Sequence, residues 1–424
     1  MDRIFVNGGR PLKGDVRISG SKNAALPQMA ACMLAPGVST LRNVPMLKDV
    51  DTMVDMLNHV GVAARREKDR LTIDAAEIGG DSAPYDMVRK MRASIYVMGP
   101  LLARLKRARV SQPGGCAIGP RPIDLHLRGF EALGAKIQLD RGDIIADGSA
   151  MKGAEFSLEG DFGTSVGATC NVLMAAALTP GKSVLHGAAR EPEIGELARM
   201  LNLMGARIGG IDSSTLEIEG VERLRPIAYA TIPDRIEAGT FLIAGLITGG
   251  DVTAVGARPD HMTSTLEKLM QIGAEVEVLP DGVRARADGA LRPASIRTLP
   301  FPGFPTDMQA QFMALLCLAE GESLIREGIF PDRFIHAAEL MRMGADIHLS
   351  PGEARVKGVK KLQGAPLMAS DLRASAALVL AALAASGESE ILRVYHIDRG
   401  YERIEEKLAA LGAAIERVSQ PTSG

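Results

Sequence analysis

The sequence predicts an α/β protein of two domains, each built from three βαβαββ repeats. Two observations predict this fold class. First, an amphipathic helix followed by a glycine, a small residue and a strand occurs six times, with the glycines 68 to 73 residues apart. A period this regular indicates repeats of one structural unit. Second, each repeat contains another helix that is apolar on nearly all sides, and such a helix must be buried.

The glycine of the repeated phrase fits a left-handed C′ position at the end of its helix, and the alternating residues after it predict a strand. Residues 136–139, Lys-Ile-Gln-Leu, are one example of this alternation. The six glycines are Gly61, Gly134, Gly205, Gly273, Gly344 and Gly412.

The apolar helices set the domain boundaries. They are predicted over residues 23–34, 94–105, 166–178, 238–247, 308–318 and 375–385. Three repeats of about 70 residues end near residue 232, so we predict an N-terminal domain over 22–232. Two strand signals precede residue 22, and the sixth repeat needs further strands to complete it. The C-terminal domain is therefore predicted to combine residues 1–21 with 233–424.

Composition excludes several classes of function. Of 424 residues, 49 are Lys or Arg and 51 are Asp or Glu, a formal net charge of −2. No global positive field exists to bind nucleic acid or an anionic membrane. No apolar tract reaches the roughly 18 residues that a membrane span requires, and no export signal is evident. Four cysteines without CxxC spacing predict a cytoplasmic protein with neither disulfides nor a metal site.

Basic residues stand at the predicted N-termini of the buried helices, where a cation opposes the helix dipole. They are Lys22, Arg92, Arg235 and Arg373. Helix N-termini accompanied by Lys and Arg bind anions through both dipole and charge. We therefore expect an anionic ligand between the two domains. The alternative is that these are ordinary solvated side chains at helix starts.

Residues 112–122 contain three Gly, three Pro and Cys116, a composition that predicts a loop. The nearby Arg121 could lower the pKa of the Cys116 thiol and favour thiolate chemistry or proton donation. An incidental loop cysteine is the alternative. The other cysteines, Cys32, Cys170 and Cys317, lie in apolar stretches and are expected to be buried.

Motifs for cofactors are absent from the sequence. Residues 180–183, Pro-Gly-Lys-Ser, resemble the end of a phosphate-binding P-loop, but position 176 is Ala where the leading Gly should stand. No dinucleotide-binding GxGxxG follows a strand, and no two histidines have zinc-ligand spacing. We therefore predict that no cofactor is used.

Six separated motifs resemble the enolpyruvyl transferases, and within them the UDP-N-acetylglucosamine 1-carboxyvinyltransferases, over essentially the whole chain. They are SGSKNAALP at 19–27, MRAS at 91–94, PGGC at 113–116, RPIDL at 121–125, FPTDMQ at 304–309 and YHIDRGYER at 395–403. The resemblance implies two inside-out α/β barrel-like domains, each with three βαβαββ repeats, buried apolar helices and outer sheets. It also implies transfer of the enolpyruvyl group of phosphoenolpyruvate to the 3′-hydroxyl of UDP-N-acetylglucosamine, the first committed step of peptidoglycan synthesis.

The resemblance also implies roles for individual residues. Cys116 would be the general acid and the residue attacked by fosfomycin. From its position at the head of an apolar helix we predict Asp307 as the general base, with Asp371, which heads the equivalent helix of the sixth repeat, as the alternative. The phosphate would be held by Lys22, Arg121 and Arg399, and the carboxylate by Arg333 and Arg373. The UDP-sugar would be bound by Asn23, Arg92, Arg121, Pro122, Ile123, Asp124, Leu125, Thr164, Ser165, Val166, Gly167, Asp307 and Ile329.

The sequence departs from the family pattern at one place. Family members often carry a Lys before the Ser-Val-Gly-Ala-Thr sequence that starts at Ser165, whereas residues 161–164 here are Asp-Phe-Gly-Thr. Backbone N–H groups at the helix start would then bind the diphosphate.

Two other functions compete with this one. The first is the sister transfer to shikimate 3-phosphate, and the second is a non-catalytic paralogue that binds a UDP-sugar. The Cys116 loop argues against the first, and retention of Cys116, Asp307 and Arg399 together argues against the second.

Overall fold

The computed structural model describes residues 2–113, 123–161 and 163–419. Its strands are β1 (Arg3–Asn7), β2 (Lys13–Arg17), β3 (Val38–Arg42), β4 (Ala63–Glu67), β5 (Arg70–Asp74), β6 (Ser82–Ala83), β7 (Arg107–Ser111), β8 (Lys136–Asp140), β9 (Asp143–Asp147), β10 (Glu155–Ser157), β11 (Lys182–His186), β12 (Arg207–Gly209), β13 (Thr215–Glu219), β14 (Ala228–Ala230), β15 (Asp251–Val255), β16 (Ala274–Leu279), β17 (Gly282–Ala287), β18 (Ser295–Arg297), β19 (Glu322–Arg326), β20 (Asp346–Ser350), β21 (Glu353–Lys357), β22 (Pro366–Met368), β23 (Glu388–Leu392) and β24 (Ala414–Val418).

Helices alternate with these strands. The α-helices are α1 (Lys22–Ala31), α2 (Lys48–His59), α3 (Tyr85–Val88), α4 (Met98–Leu105), α5 (Asp124–Ala132), α6 (Val166–Ala176), α7 (Pro192–Met204), α8 (Arg235–Ile247), α9 (Thr263–Ile272), α10 (Gln309–Leu316), α11 (His336–Arg342), α12 (Leu372–Ala384) and α13 (Ile404–Ala410). Short 3-10 helices cover Cys32–Leu34, Arg92–Val97, Pro259–His261, Thr306–Met308 and Val394–Arg399.

The chain divides into two compact units. Among the described residues, one unit comprises those between Gly20 and Ile232, and the other combines those up to Ser19 with those from Pro233 onward. Each unit has its own hydrophobic core. The two cores draw on non-overlapping stretches of chain, as expected for separate domains of this length.

Every repeat forms a four-stranded sheet with the same topology. In the third repeat, β10 is parallel to β11, β11 is antiparallel to β13, and β13 is antiparallel to β12. The fifth repeat has the same order in β18, β19, β21 and β20. Among the described residues the strands form six such separate sheets, and none closes into a barrel. The predicted α/β fold class of βαβαββ repeats is confirmed.

Strands from distant parts of the chain complete three of these sheets. In the unit that combines the N-terminal residues with those from Pro233 onward, β1 lies between β23 and β24. In the same unit, β2 is parallel to β15. In the other unit, β14 supplies the parallel partner of β3. The N-terminal residues are therefore structural members of the sheets formed by residues after 232.

Six helices lie at the centres of the units, three in each. In the first unit these are α1, α4 and α6, and in the second they are α8, α10 and α12. All residues of α12 from Arg373 to Leu383 are buried, as are all those of α8 from Ile236 to Ile247. The helices are buried because their apolar side chains surround the helix axis. Three of the predicted spans include a short 3-10 segment, at Cys32–Leu34, Arg92–Val97 and Thr306–Met308.

The six predicted cap glycines all have positive φ, from 81° at Gly61 to 108° at Gly205. This confirms the helix ends, since a left-handed residue closes a helix at little cost only when it lacks Cβ. The apolar helix α4 has no glycine after it. Lys106 takes the left-handed position there, with φ 59°.

Three cysteines, Cys32, Cys170 and Cys317, are buried in the helical cores, as expected from their apolar surroundings. Burial raises the pKa of the Cys32 and Cys317 thiols to about 12 and also raises that of Cys170. Cys116 lies outside the described residues. In the described part of the chain, no helix is long and apolar enough to cross a membrane. No cluster of metal-ligating side chains occurs there either.

Candidate active site

Two guanidinium groups share one carboxylate in the unit that contains the residues from Pro233 onward. Nη1 of Arg333 donates to Oδ1 of Asp307 over 2.8 Å, and Nη2 of Arg373 donates to Oδ2 over 3.2 Å. Arg333 is 6% exposed and Arg373 only 1%. The Asp307 side chain is 29% exposed. Two buried cations around one partly exposed anion leave a net positive charge, and such a group attracts a further anion.

Three separate elements bring these side chains together. Asp307 lies in the 3-10 segment that leads into α10, Arg333 lies in the loop before α11, and Arg373 is the second residue of α12. Because α10 and α12 pack against each other, their first turns lie close together. The repeat architecture therefore assembles the cluster.

The two helical segments next to Asp307 show no side-chain cap bond, whereas its carboxylate contacts two guanidiniums. Asp371, the alternative base, is the capping residue of α12. Its Oδ1 accepts hydrogen bonds from the N–H groups of Arg373 and Ala374, at 2.9 Å and 3.2 Å. The capping carboxylate and the one that contacts both guanidiniums are thus different residues.

A buried polar network lies behind Arg373. The guanidinium lies over the ring of Tyr401, 5.3 Å from its centroid. The Tyr401 hydroxyl is 3.0 Å from Thr240 Oγ1 and accepts from Gln311 Nε2 over 3.1 Å. Gln311 Nε2 also donates to the Asp307 carbonyl. Burial opposes the charge of Arg373, but the neighbouring Tyr401 and Asp307 outweigh it and raise its pKa, so this guanidinium stays charged.

Arg399 ends the 3-10 helix Val394–Arg399 in the same unit and is half-buried. Its neighbour Asp398 is held by Arg417 of β24 through two hydrogen bonds of 2.7 Å. This bidentate pair fixes the segment that carries Arg399 to the adjacent strand. Ile329 follows β19, and its N–H donates to Oε1 of Glu327 over 2.9 Å.

The unit of residues 20–232 has its own cation at a helix start. Lys22 is the first residue of α1, which Ser21 caps by accepting from the N–H of Ala24. Nζ of Lys22 donates to Oδ2 of Asp49 over 3.1 Å, and both side chains are largely buried. Asn23 is the next residue of α1 and is half-buried. Asp49 therefore fixes the position of the ammonium group.

A second polar group of this unit surrounds His126 near the start of α6. Asn171 Nδ2 lies 3.1 Å from His126 Nδ1 and donates to the carbonyl of Ile95. Burial and the charge of Arg92 lower the pKa of His126 to about 3, so the imidazole is neutral. A Cβ at Gly167 would lie 3.0 Å from Nε2 of His126, which explains the glycine there.

The remaining predicted residues lie near helix starts or outside the described residues. Ile123 precedes α5, Asp124 begins it, and Leu125 is buried. Thr164 precedes Ser165, which caps α6 through the N–H of Ala168, and Val166 and Gly167 form the first turn. The predicted site residues that lie outside the described part are Cys116, Arg121 and Pro122.

Sequence reasoning did not single out Glu327 or Asp49. Glu327 had a usable signal. Ser323 and Ile325 of β19 face inward, and Glu327 is the next residue in this alternation, just beyond the end of the strand. A carboxylate at the next inward position must find partners. Asp49 gave no such signal, because an acidic residue in the first turn of a helix already complements the helix dipole.

Comparisons with known proteins agree with the fold. A model of the family described as EPSP synthase (3-phosphoshikimate 1-carboxyvinyltransferase) matches residues 6–408. The chain belongs to this family, the enolpyruvyl transferases, as the sequence motifs predicted. Within it, the chain is 53% identical over 422 residues to UDP-N-acetylglucosamine 1-carboxyvinyltransferase of Trichlorobacter lovleyi, which covers 99% of this chain and 100% of that relative.

Solved structures show the same architecture. The enolpyruvyl transferase NikO from Streptomyces tendae matches with a TM-score of 0.89 and 26% identity, over 99% of both chains. EPSP synthase from Acinetobacter baumannii matches with a TM-score of 0.76 over 99% of this chain and 100% of that one. At 18% identity, the second likeness is evidence for the fold alone.

Proposed function

We propose that this protein transfers the enolpyruvyl group of phosphoenolpyruvate to the 3′-hydroxyl of UDP-N-acetylglucosamine and releases phosphate. The observation that carries the proposal is full-length identity of 53% to an enzyme with that name. The cluster of Arg333 and Arg373 around Asp307 supports it, because the reaction needs a buried anion site beside a carboxylate. The reaction would be the first committed step of peptidoglycan synthesis, in the cytoplasm.

The carboxylate of phosphoenolpyruvate is assigned to Arg333 and Arg373. Both hydrogens of Arg333 Nη1 are directed at protein oxygens, those of Thr306 and Asp307. Among the described residues, this leaves its Nη2 and Nε for a ligand. A planar guanidinium suits a carboxylate because it can bind both oxygens at once. The phosphate is assigned to Lys22, Arg121 and Arg399.

Asp307 is assigned the role of general base. An ionised carboxylate that is partly exposed can accept the 3′-hydroxyl proton while the hydroxyl oxygen attacks C2 of phosphoenolpyruvate. Cys116 is assigned as the acid that protonates C3 at the same stage. The resulting tetrahedral intermediate then loses phosphate, and removal of a proton from C3 restores the double bond. The C3 proton returns to the Cys116 thiolate, and the proton held by Asp307 leaves with the phosphate, so both residues are restored for the next turnover.

The UDP-sugar is assigned to residues at helix starts. The start of α6, at Thr164, Ser165, Val166 and Gly167, offers backbone N–H groups to the diphosphate. This arrangement would replace the Lys that the family often carries there. The uracil is assigned to the segment Arg121 to Leu125, the sugar hydroxyl to Asn23 and Asp307, and the nucleotide also to the backbone of Ile329. Arg92 would support this region beside His126.

The alternative acceptor, shikimate 3-phosphate, is favoured only by the description of the family model. A phosphate-release assay separates the functions. Purified protein is incubated with phosphoenolpyruvate and either UDP-N-acetylglucosamine, shikimate 3-phosphate or no acceptor. We expect phosphate release in the first arm alone. Release only with shikimate 3-phosphate would reassign the acceptor, and no release in any arm would favour a non-catalytic UDP-sugar-binding paralogue.

A further inference from the structure

Glu327 is a buried carboxylate that accepts hydrogen bonds from three different segments. It follows β19 and is 4% exposed. Its Oε1 accepts from the N–H groups of Ile329 and Phe330, at 2.9 Å and 3.0 Å, and from the Thr298 hydroxyl. Its Oε2 accepts from the Thr306 hydroxyl over 2.9 Å. These four donors satisfy both oxygens of the carboxylate, whose negative charge would otherwise be destabilised by burial.

The bond to Thr306 leads directly to the anion site. Because Thr306 donates its only hydroxyl hydrogen to Glu327, the lone pairs of its oxygen are left for Arg333. Nη1 of Arg333 indeed donates to that oxygen over 3.0 Å and to Asp307 Oδ1 over 2.8 Å. Two acceptors, Thr306 and Asp307, therefore set the orientation of the Arg333 guanidinium. Glu327 fixes the hydroxyl of the first of them by accepting its hydrogen.

We propose that Glu327 is a positioning residue that acts through Thr306 to orient Arg333 for the carboxylate of phosphoenolpyruvate. The proposal rests on the proposed function, since it assigns Arg333 to that substrate. Glu327 also places a negative charge one hydrogen-bonded residue away from the Arg333 guanidinium. Without it, the Thr306 hydroxyl could rotate, and the direction from which its oxygen accepts the Arg333 hydrogen bond would no longer be fixed.

The substitution Glu327→Gln tests the link selectively. The amide oxygen can replace Oε1 and keep its three donors, so the Nε2 group would face Thr306 and donate to it. The substitution would thus reverse the hydrogen bond between Thr306 and residue 327 and remove the negative charge of Glu327. The N–H groups of Ile329 and Phe330 would keep their acceptor. Thr306→Val breaks the same link from the other side. Both variants should raise the KM for phosphoenolpyruvate about 10-fold or more, the usual effect of a lost hydrogen bond to a charged group.

Two features distinguish positioning from a general structural role. The double variant E327Q/T306V should be no worse than the more impaired single variant, because both changes break one chain of bonds. Thr306→Ser restores the hydroxyl and should recover most of the loss. The KM for UDP-N-acetylglucosamine should change much less than that for phosphoenolpyruvate. The matched control is Glu322→Gln, at the opposite end of β19 in an exposed pair with Arg355, which should behave as wild type.

Calorimetric titration of each variant with phosphoenolpyruvate provides a readout that does not depend on turnover. Weaker binding by E327Q and T306V, measured well below the melting temperature of each variant, supports the proposal. Unchanged binding and an unchanged KM in both variants would overturn it while leaving the proposed function intact. A wild-type protein that binds phosphoenolpyruvate but releases no phosphate would overturn the proposed function alone. A wild type that does not bind it at all would overturn both.

Discussion

The Oδ2 atom of Asp307 accepts hydrogen bonds from Nε and Nη2 of Arg373, at 3.3 Å and 3.2 Å, although 66 residues separate the two in the chain. This bond joins the start of α10 to the start of α12, the buried helices of two successive repeats. It places a carboxylate against a cation whose side chain is almost wholly buried. The effects of changing Asp307 follow from this contact and not from helix capping.

Asp307→Asn should reduce kcat on the order of 10²-fold or more, because an amide cannot accept the 3′-hydroxyl proton. Since Asn also removes the negative charge shared by Arg333 and Arg373, we expect the free energy of unfolding to fall by about 1–3 kcal/mol. Steady-state kinetics and thermal melting measure the two effects. Binding of UDP-N-acetylglucosamine, followed by calorimetry, should persist. Near-normal turnover would remove Asp307 from the role of base.

Asp371→Ala should destabilise the protein by about 1 kcal/mol, because it removes the side-chain acceptor for the first N–H groups of α12. Asp371→Asn should melt close to wild type, since Asn caps a helix nearly as well as Asp. Chemical denaturation of both variants checks this difference. If Asp371→Asn instead abolished turnover without changing stability, Asp371 would become the better candidate for the base.

Alkylation should label Cys116 before any other cysteine of the native protein. The other three thiols are buried, and burial raises their pKa, so they hold almost no thiolate near neutral pH. Peptide mapping after brief treatment with iodoacetamide, or with fosfomycin in the presence of UDP-N-acetylglucosamine, makes the measurement. Cys116→Ser should stay folded and escape labelling. Early labelling of Cys32, Cys170 or Cys317 would contradict this expectation.

Glu237 should make stability depend on pH between about 4.5 and 7. It is buried at the start of α8, accepts from Lys407 Nζ over 2.7 Å, and accepts from the Ser19 N–H. Burial raises its pKa to about 7 from an ordinary value of 4.5, although Lys407 opposes the shift. The folded state therefore binds the proton more tightly. This contribution to stability is fully present below pH 4.5 and is lost as the pH rises through 7.

The change Glu237→Gln isolates that contribution. The melting temperature of wild type, relative to the variant, should fall as the pH rises from 4.5 to 7. The exposed Glu217, which pairs with Lys182 on the surface, provides a control, and Glu217→Gln should leave the pH dependence almost unchanged. Parallel curves for wild type and Glu237→Gln would show that Glu237 titrates as in the unfolded chain.

The sequence alone determined the repeats, the buried helices and the glycines that end the amphipathic helices. These features depend on local periodicity, and a pattern that recurs six times leaves little ambiguity. Its motifs also identified the family, which the comparisons confirmed. It could not anticipate that Lys106 ends α4 in a left-handed conformation, because a lysine carries no local signal for that backbone.

Only the tertiary structure decided which of two similar helix-start aspartates is the cap. Asp307 and Asp371 both precede apolar helices, yet Asp371 bonds to its own helix and Asp307 bonds to Arg333 and Arg373. The structure likewise showed that Glu327 joins Thr298, Thr306 and the loop at Ile329. The bonds to Asp307 from Arg333 and Arg373, and those to Glu327 from Thr298 and Thr306, connect residues 21 to 66 positions apart in the chain. Their partners are selected by the packing of whole repeats, which no local pattern encodes.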